Sequence, residues 1–302
     1  MMPGEPLTLM TVHAHPDDET IGTGGVMAAA IDAGRRVVLA TCTDGALGEI
    51  VIADRDTPEE HRRLAATRVL ELEAAMAELG VTEWENLGYR DSDMMGRAGN
   101  LDPRSFWQAD MDEAIGRLVW LVRRYRPHVI TTYNDFGGYG HPDHIRTHLV
   151  AVGAWQRSGD PAWYPQQLAD GGLEPWAPLK LYEQAIPASV RSAMRDRLRE
   201  LGRTWGEPPE GATDEERAEF EVRMARMLIP DEQITTKVDV GPYLDRKFAA
   251  LLRHATQMST DHPFLVFGVE GWREFWPFEA FVLREARVET AIPETDLFAG
   301  IA

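Results

Sequence analysis

The sequence predicts an α/β fold built on a mostly parallel sheet flanked by helices. Three observations carry that prediction. Short β-rich runs alternate with longer helical patterns through the first half, two helical patterns stop at a glycine, and the run Val37–Thr43 is nearly all apolar, as a strand covered on both faces is. Neither an internal repeat nor a low-complexity stretch interrupts the alternation.

Leu7–Ala14 reads as the first strand, and Thr20–Ala33 as a helix closed by Gly34, a residue at ease in the left-handed conformation of a helix end. After the strand Val37–Thr43, residues 61–79 repeat Leu64, Thr67, Leu70, Leu72, Ala75, Met76 and Leu79 at helical spacing until Gly80. Trp84–Leu87 reads as a short strand, Asp110–Tyr125 as a helix, and His128–Tyr133 as a strand after the helix-stopping Pro127. Residues 158–178, rich in Pro, Gly and aromatic residues, read as a long ordered loop. Beyond them come a strand at Leu179–Ile186 and a helix at 187–201. An exposed loop at 204–217, with Pro208, Pro209 and Gly211, leads into a helix ending at Leu228. A strand at Ile234–Val240, a helix at Tyr243–His254 and a closing strand at Phe278–Arg284 finish the chain. The expected architecture is Rossmann-like. Residues 1–178 form the catalytic core, and 179–302 form a smaller C-terminal subregion that completes one pocket wall within one continuous domain.

Composition narrows the function. With 31 basic against 49 acidic residues, the formal charge of −18 repels phosphate backbones and anionic membranes, so neither nucleic acid nor membrane is an expected partner. Cys42 is the only cysteine, which rules out an intramolecular disulfide and points to a reducing compartment. The start Met1–Glu5 has no basic region followed by an apolar one, and no apolar run approaches the length of a bilayer span, so the expectation is a cytoplasmic protein. A homo-oligomer is compatible with all of this.

Two polar clusters carry the chemistry. His13-Ala14-His15-Pro16-Asp17-Asp18-Glu19 follows the first strand, and Tyr139-Gly140-His141-Pro142-Asp143-His144 follows the fourth. Ligands of open α/β sheets bind beyond the carboxyl ends of the strands, so a parallel sheet brings both clusters to one edge. Three consecutive acids there call for a positive charge, and a metal ion supplies it. His15, Asp18 and His144 make a two-histidine, one-carboxylate set with an open position, as catalytic zinc sites have; the same set suits Fe²⁺. Asp17, adjacent to a ligand but pointing elsewhere, is the candidate general base for a water acidified by zinc. His141 is a candidate protonated imidazole for the oxyanion or the leaving amine, with Asp143 orienting its ring, and Tyr139 offers a hydroxyl to the oxyanion.

These motifs resemble the PIG-L/LmbE-like zinc N-deacetylases, and most closely their mycothiol branch, which holds an N-acetylglucosaminyl-inositol deacetylase and a thiol S-conjugate amidase. Arg68-Val69-Leu70-Glu71-Leu72, Arg90-Asp91-Ser92, Arg126-Pro127-His128-Val129 and His254-Ala255-Thr256-Gln257 extend the resemblance over most of the chain. It implies zinc on His15, Asp18 and His144, Asp17 as base, and His141 with Tyr139 at the oxyanion and leaving group. It further implies removal of an N-acetyl group from an amino-sugar or pseudodisaccharide. Arg68 is placed at the inositol end, with Glu19 and Asp91 as further substrate contacts. Two cues oppose each other within the branch. The amidase has a lysine where this chain has Gly22 or Thr23, whereas Trp276-Pro277 is amidase-like. A two-metal phosphoesterase and a non-catalytic sugar-binding module are the rivals outside the family.

Blander readings apply to several neighbours. His13 shares a strand face with His15 and reads as a support to the ligands. His148 lies one turn from His144, but Ile145 stands where a zincin has its glutamate, so it reads as core or as a support behind the ligands. Gly22-Thr23-Gly24-Gly25 fails the dinucleotide fingerprint because Met27 occupies the position of its last glycine. The tryptophans at 155, 163, 176, 272 and 276 are candidates for stacking on sugar rings or for packing.

Overall fold

A computed structural model of the chain describes residues 6–203, 208 and 211–301. The stretch Met1–Glu5 and most of the proline-rich run 204–210 lie outside the described residues.

Sixteen elements among the described residues build the fold. They are β1 (Thr8–His13), α1 (Asp18–Asp32), β2 (Arg36–Thr43), α2 (Pro58–Leu79), β3 (Glu83–Tyr89), α3 (Met111–Tyr125), β4 (Val129–Thr132) and α4 (Pro142–Arg157). There follow α5 (Pro165–Ala169), β5 (Lys180–Ala185), α6 (Ala188–Glu200), α7 (Asp214–Met227), β6 (Thr236–Asp239), α8 (Leu244–Leu251), α9 (Gly268–Phe275) and β7 (Phe278–Ala286). Seven strands form one sheet in the order β3-β2-β1-β4-β5-β7-β6. The first five are parallel, and β7 runs antiparallel to both β5 and β6. The sheet therefore continues from the first half of the chain into residues 179–302.

Local chemistry explains the element ends. Thr57 caps α2 by accepting the Glu60 N–H at 3.3 Å, Pro58 occupies its first turn, and Gly80 ends it at φ 77°. Asp110 caps α3 in the same way through the Glu113 N–H at 2.9 Å. Strand alternation sorts the core. Leu9, Val37 and Leu39 face a cluster with α1, α2 and α8, while Met10, Val12, Val38 and Ala40 face one with α3 and α4. Cys42 belongs to the second cluster, and burial pushes its thiol up to about 12.

Helix α9 was not anticipated. Gly268 and Gly271 weaken its intrinsic propensity, and packing of Trp272, which is 1% exposed and stacked on Trp276 at 4.6 Å, supplies what propensity does not. The loop 158–178 contains the short helix α5. No helix of the described residues is long and apolar enough to cross a membrane.

Candidate metal centre and active site

The strand order reverses direction at β1 and β4. The chain steps outward from β1 through β2 to β3, then returns to lay β4 on the other side of β1. A crevice opens at the carboxyl ends of such a pair. Residues 14–17 leave β1 and residues 133–141 leave β4, so both polar clusters meet there.

Both loops are pinned. The Ala14 N–H donates to the Tyr133 hydroxyl at 3.0 Å, and the Ala14 carbonyl accepts the Thr43 N–H at 2.9 Å. Asp17 adopts φ 127°, a strained conformation for a non-glycine residue, just before α1 begins at Asp18. After β4, Gly137 takes φ 64° and packs so closely on α4 that a Cβ there would lie 2.5 Å from the His144 Cβ. His141 then caps α4: its Nδ1 accepts the Asp143 N–H at 3.1 Å, with Pro142 in the first turn.

Three donor atoms converge. His15 Nδ1, His144 Nε2 and Asp18 Oδ2 form a triangle whose sides are each 3.3 Å. Tetrahedral zinc with bonds of about 2.0–2.1 Å has ligand–ligand edges of about 3.3–3.4 Å, so the donor set fits such an ion. Two looser groups also keep candidate donor atoms within 4.8 Å, His15 with His141 and His144, and His15 with Asp91, His141 and Asp143. Both draw on His141, whose Nδ1 is occupied by the helix cap, and in the second His15 and Asp143 are already bonded to each other through Nε2 and Oδ2. The Asp18 triangle is tighter and joins a carboxylate to two imidazoles.

The electrostatics match a cation. Burial lowers the affinity of His15 for a proton, but Asp91, Asp143 and Asp18 outweigh it and hold the ring above the ordinary imidazole range. Burial alone raises the Asp18 carboxyl, yet His144 and His15 hold it well below the usual carboxylate range. The His15 ring is oriented from behind, since Nε2 donates to Asp143 Oδ2 at 3.1 Å and leaves the Nδ1 lone pair for the centre. The His144 ring lies 4.3 Å from that of Tyr133 at 28°.

Asp17 has the environment of a proton acceptor. Burial pushes its carboxyl up to about 6, helped by Asp18 and Glu19 and opposed by Arg68 and His254. Arg68 Nη2 lies 3.1 Å from Asp17 Oδ2, and the same guanidinium donates to the carbonyls of Gly45 and Pro16. Arg68 is thus buried and paired with Asp17 rather than open at the mouth of the site.

Several expectations change in detail. Glu19 is fully buried and cannot contact substrate; its carboxylate accepts from the Asp17 N–H at 2.8 Å, His254 Nε2 at 2.9 Å and the Thr20 hydroxyl. The Asp143 carboxylate does not orient His141. It binds His15 and the N–H and hydroxyl of Ser92, while the Asp143 backbone N–H serves His141. Burial, with the neighbouring His15 and His144, pushes His141 far below the ordinary imidazole range, against the protonated ring expected of it. A neutral ring accepting at Nδ1 carries its hydrogen on Nε2. Asp91 spends its oxygens on the N–H groups of Asp93 and Leu47, 3.8 Å from His15 Nε2. Tyr139, 38% exposed, places its hydroxyl 3.4 Å from His144 Nε2. Burial, with Asp18 and Asp17, raises its phenol, which stays protonated. His13 bonds Thr23 at 2.9 Å, and His148 bonds the Tyr133 carbonyl at 2.9 Å, so both stand behind the site.

Sequence reasoning missed Tyr133 and Ser92 and gave no role to His254. Tyr133 and Ser92 carry no local signal beyond following β4 and β3. A cavity of about 410 Å³ opens beside the centre, lined at its inner end by Asp18, His144, Tyr133 and Tyr139. Of the five tryptophans singled out, only Trp276 lines it.

Comparisons with known proteins fit this geometry. The family model described as "PIG-L: GlcNAc-PI de-N-acetylase" matches residues 10–155, the span holding both clusters. The 1D-myo-inositol 2-acetamido-2-deoxy-alpha-D-glucopyranoside deacetylase of Geodermatophilus obscurus is 40% identical over 300 residues, covering 97% of each chain. Its counterpart from Acidothermus cellulolyticus is 41% identical over 305 residues, covering 97% of this chain and 95% of its own. Among solved structures, N,N'-diacetylchitobiose deacetylase from Pyrococcus horikoshii is similar in fold, with a TM-score of 0.61 at 21% identity over 91% of this chain and 83% of its own.

Proposed function

The chain belongs to the PIG-L family, and from that premise we propose that it is a zinc-dependent N-deacetylase that releases acetate from an N-acetylglucosaminyl-inositol. The observation that carries the proposal is the triangle of 3.3 Å sides formed by His15, Asp18 and His144 beside the buried, proton-accepting carboxylate of Asp17. The substrate is a small pseudodisaccharide, and the lone buried thiol of Cys42 supports a cytoplasmic location.

His15, Asp18 and His144 would hold the ion. Zinc supplies Lewis acidity there, bringing the pKa of a water molecule to about 7 and polarising an amide carbonyl. The protein's own groups do the rest. Asp17, with its carboxyl at about 6, is ionised at neutral pH and takes the proton of the attacking water; Arg68 keeps that carboxyl from rising further. Tyr139 donates its hydroxyl to the carbonyl oxygen as negative charge develops. His141 donates from Nε2 as a neutral imidazole, since Nδ1 is held by the Asp143 N–H. The proton held by Asp17 then passes to the departing amine.

Amine release from N-acetylglucosaminyl-inositol, measured on zinc-loaded and chelator-stripped protein, tests the proposal. Release that depends on added metal is expected. Full activity after stripping, or none on any N-acetylated amino-sugar, would overturn it.

A further inference from the structure

The two sides of the centre differ in chemistry. Asp17, Arg68 and His141 do not line the 410 Å³ cavity, whereas Asp18, His144 and Tyr139 do. Its remaining wall is largely apolar, with Ile21, Ile186, Met227, Ile229, Phe264 and Trp276; its neutral polar groups are Asn134, whose Oδ1 accepts the Gly138 N–H at 2.9 Å, and Gln184, whose buried Oε1 has no hydrogen-bond partner among the described residues. The charged groups that reach it are engaged elsewhere. Glu279 accepts from Lys247 Nζ at 2.7 Å and from the Gly25 and Val26 N–H groups at 2.8 Å, and Arg191 has partners of its own. His262 uses Nδ1 to accept the Phe264 N–H at 3.3 Å. A cavity of this size and lining suits a mainly apolar ligand group and far exceeds the methyl of an acetyl.

Reaction geometry decides which part of the substrate enters it. The nitrogen and the acyl chain leave a trigonal carbonyl carbon in diverging directions. Proton traffic through Asp17 and His141 requires the nitrogen on their side. The acyl chain then points the other way, past Asp18 and His144. We infer that the cavity receives an apolar acyl chain, so that amino-sugars with N-acyl groups longer than acetyl are substrates, and better ones than the acetyl compound. The inference rests on the amide hydrolysis proposed above.

A series of N-acyl glucosamines from acetyl through butyryl and hexanoyl to octanoyl tests it on the zinc-loaded protein. Each buried methylene is worth about fourfold. With incomplete burial, kcat/KM is expected to rise at least tenfold, roughly, from acetyl to hexanoyl. Ile229→Trp, which fills the cavity, should lower the hexanoyl-to-acetyl ratio about fivefold or more, whereas Ile229→Ala should move the optimum to a longer chain. Calorimetric binding of the same series to zinc-loaded Asp17→Asn protein reads the cavity independently of turnover, and the dissociation constant should fall with chain length. Acetyl hydrolysis with a flat or falling series overturns this inference and leaves the deacetylase reading standing. If no amide is cleaved, that reading fails and the binding series alone decides: a constant affinity along the chain would refute the acyl cavity.

Discussion

Replacing Asp143 by Asn isolates what a buried carboxylate does for the imidazole of His15, a proposed metal ligand. Asp143 is fully buried, with Oδ2 accepting from His15 Nε2 at 3.1 Å and the Ser92 N–H at 2.9 Å, and Oδ1 accepting from the Ser92 hydroxyl. An asparagine retains these contacts only if its oxygen takes the Oδ2 position, because two N–H donors face that point. Its NH₂ then meets the Ser92 oxygen, whose hydroxyl hydrogen can rotate away. Shape is conserved and the negative charge behind His15 is lost. Outer partners of this kind are worth about 10–100-fold in metal affinity, or about 1.4–2.7 kcal/mol. Asp143→Ala should weaken zinc binding more, since it also frees the His15 ring to rotate, and the two buried N–H donors it leaves unpaired should lower folding stability by about 1–3 kcal/mol each. Competition for zinc against a chromogenic chelator, with thermal unfolding run alongside, gives both affinities. The reasoning is refuted if the Asn protein binds zinc within twofold of wild type, or if Ala binds no more weakly than Asn.

Three further outcomes follow from the same geometry. Asp17→Asn should bind zinc yet lose nearly all turnover. In chelator its folded state should also gain about 1–3 kcal/mol at pH 8, from a carboxyl raised from 3.8 to about 6. The sign is fixed by the raised value: the wild-type group favours the fold below its unfolded pKa and loses that contribution as pH rises through 6, so urea midpoints of the two proteins should converge below pH 4. Arg68→Gln removes the cation 3.1 Å from Asp17, and the acid limb of the pH–kcat/KM profile should move up by about one unit; an unmoved limb would separate Arg68 from the base. Gly137→Ala should weaken zinc binding at least tenfold, roughly, because its Cβ meets the His144 Cβ at 2.5 Å in a backbone with φ 64°; unchanged affinity would mean that the β4–α4 loop does not set the His144 position.

Much of this fold and site was legible in the sequence for definite reasons. The β1–β4 half obeys short-range rules, namely apolar runs for covered strands, helical spacing closed by Gly80, and caps at Thr57 and Asp110. The convergence of His15, Asp18 and His144 was readable because both clusters follow strands that a parallel sheet must align. What escaped depends on contacts between distant segments. Helix α9 is held by Trp272 against its own glycines. The role of Asp143 was misplaced because sequence proximity pointed to His141, whereas the rotation of α4 aims its carboxylate at His15, 128 residues away. Glu19, expected among the substrate contacts, instead meets His254, 235 residues further on, a partner that no local pattern reveals.

That last pair shows why a site whose candidate ligands all come from the first half of the chain depends on the second. Helix α1 carries Asp18 at its start, so this candidate ligand is only as fixed as the helix. The C-terminal region grips α1 at three levels. His254 holds Glu19 in its first turn, Lys247 donates to the Ile21 carbonyl at 2.8 Å, and Glu279 accepts from the N–H groups of Gly25 and Val26. Lys247 and Glu279 are themselves a buried pair at 2.7 Å, costly to desolvate and compensated by their bonds to each other and to the helix backbone and by the Trp272 ring 5.3 Å from Lys247 Nζ. Gly25 allows the approach, since a Cβ there would lie 2.5 Å from the Val240 Cβ. Two of the glycines that imitate a dinucleotide loop, Gly22 against Gln184 and Gly25 against Val240, are thus close-packing residues. They let the antiparallel end of the sheet hold the amino end of α1 where Asp18 completes the triangle.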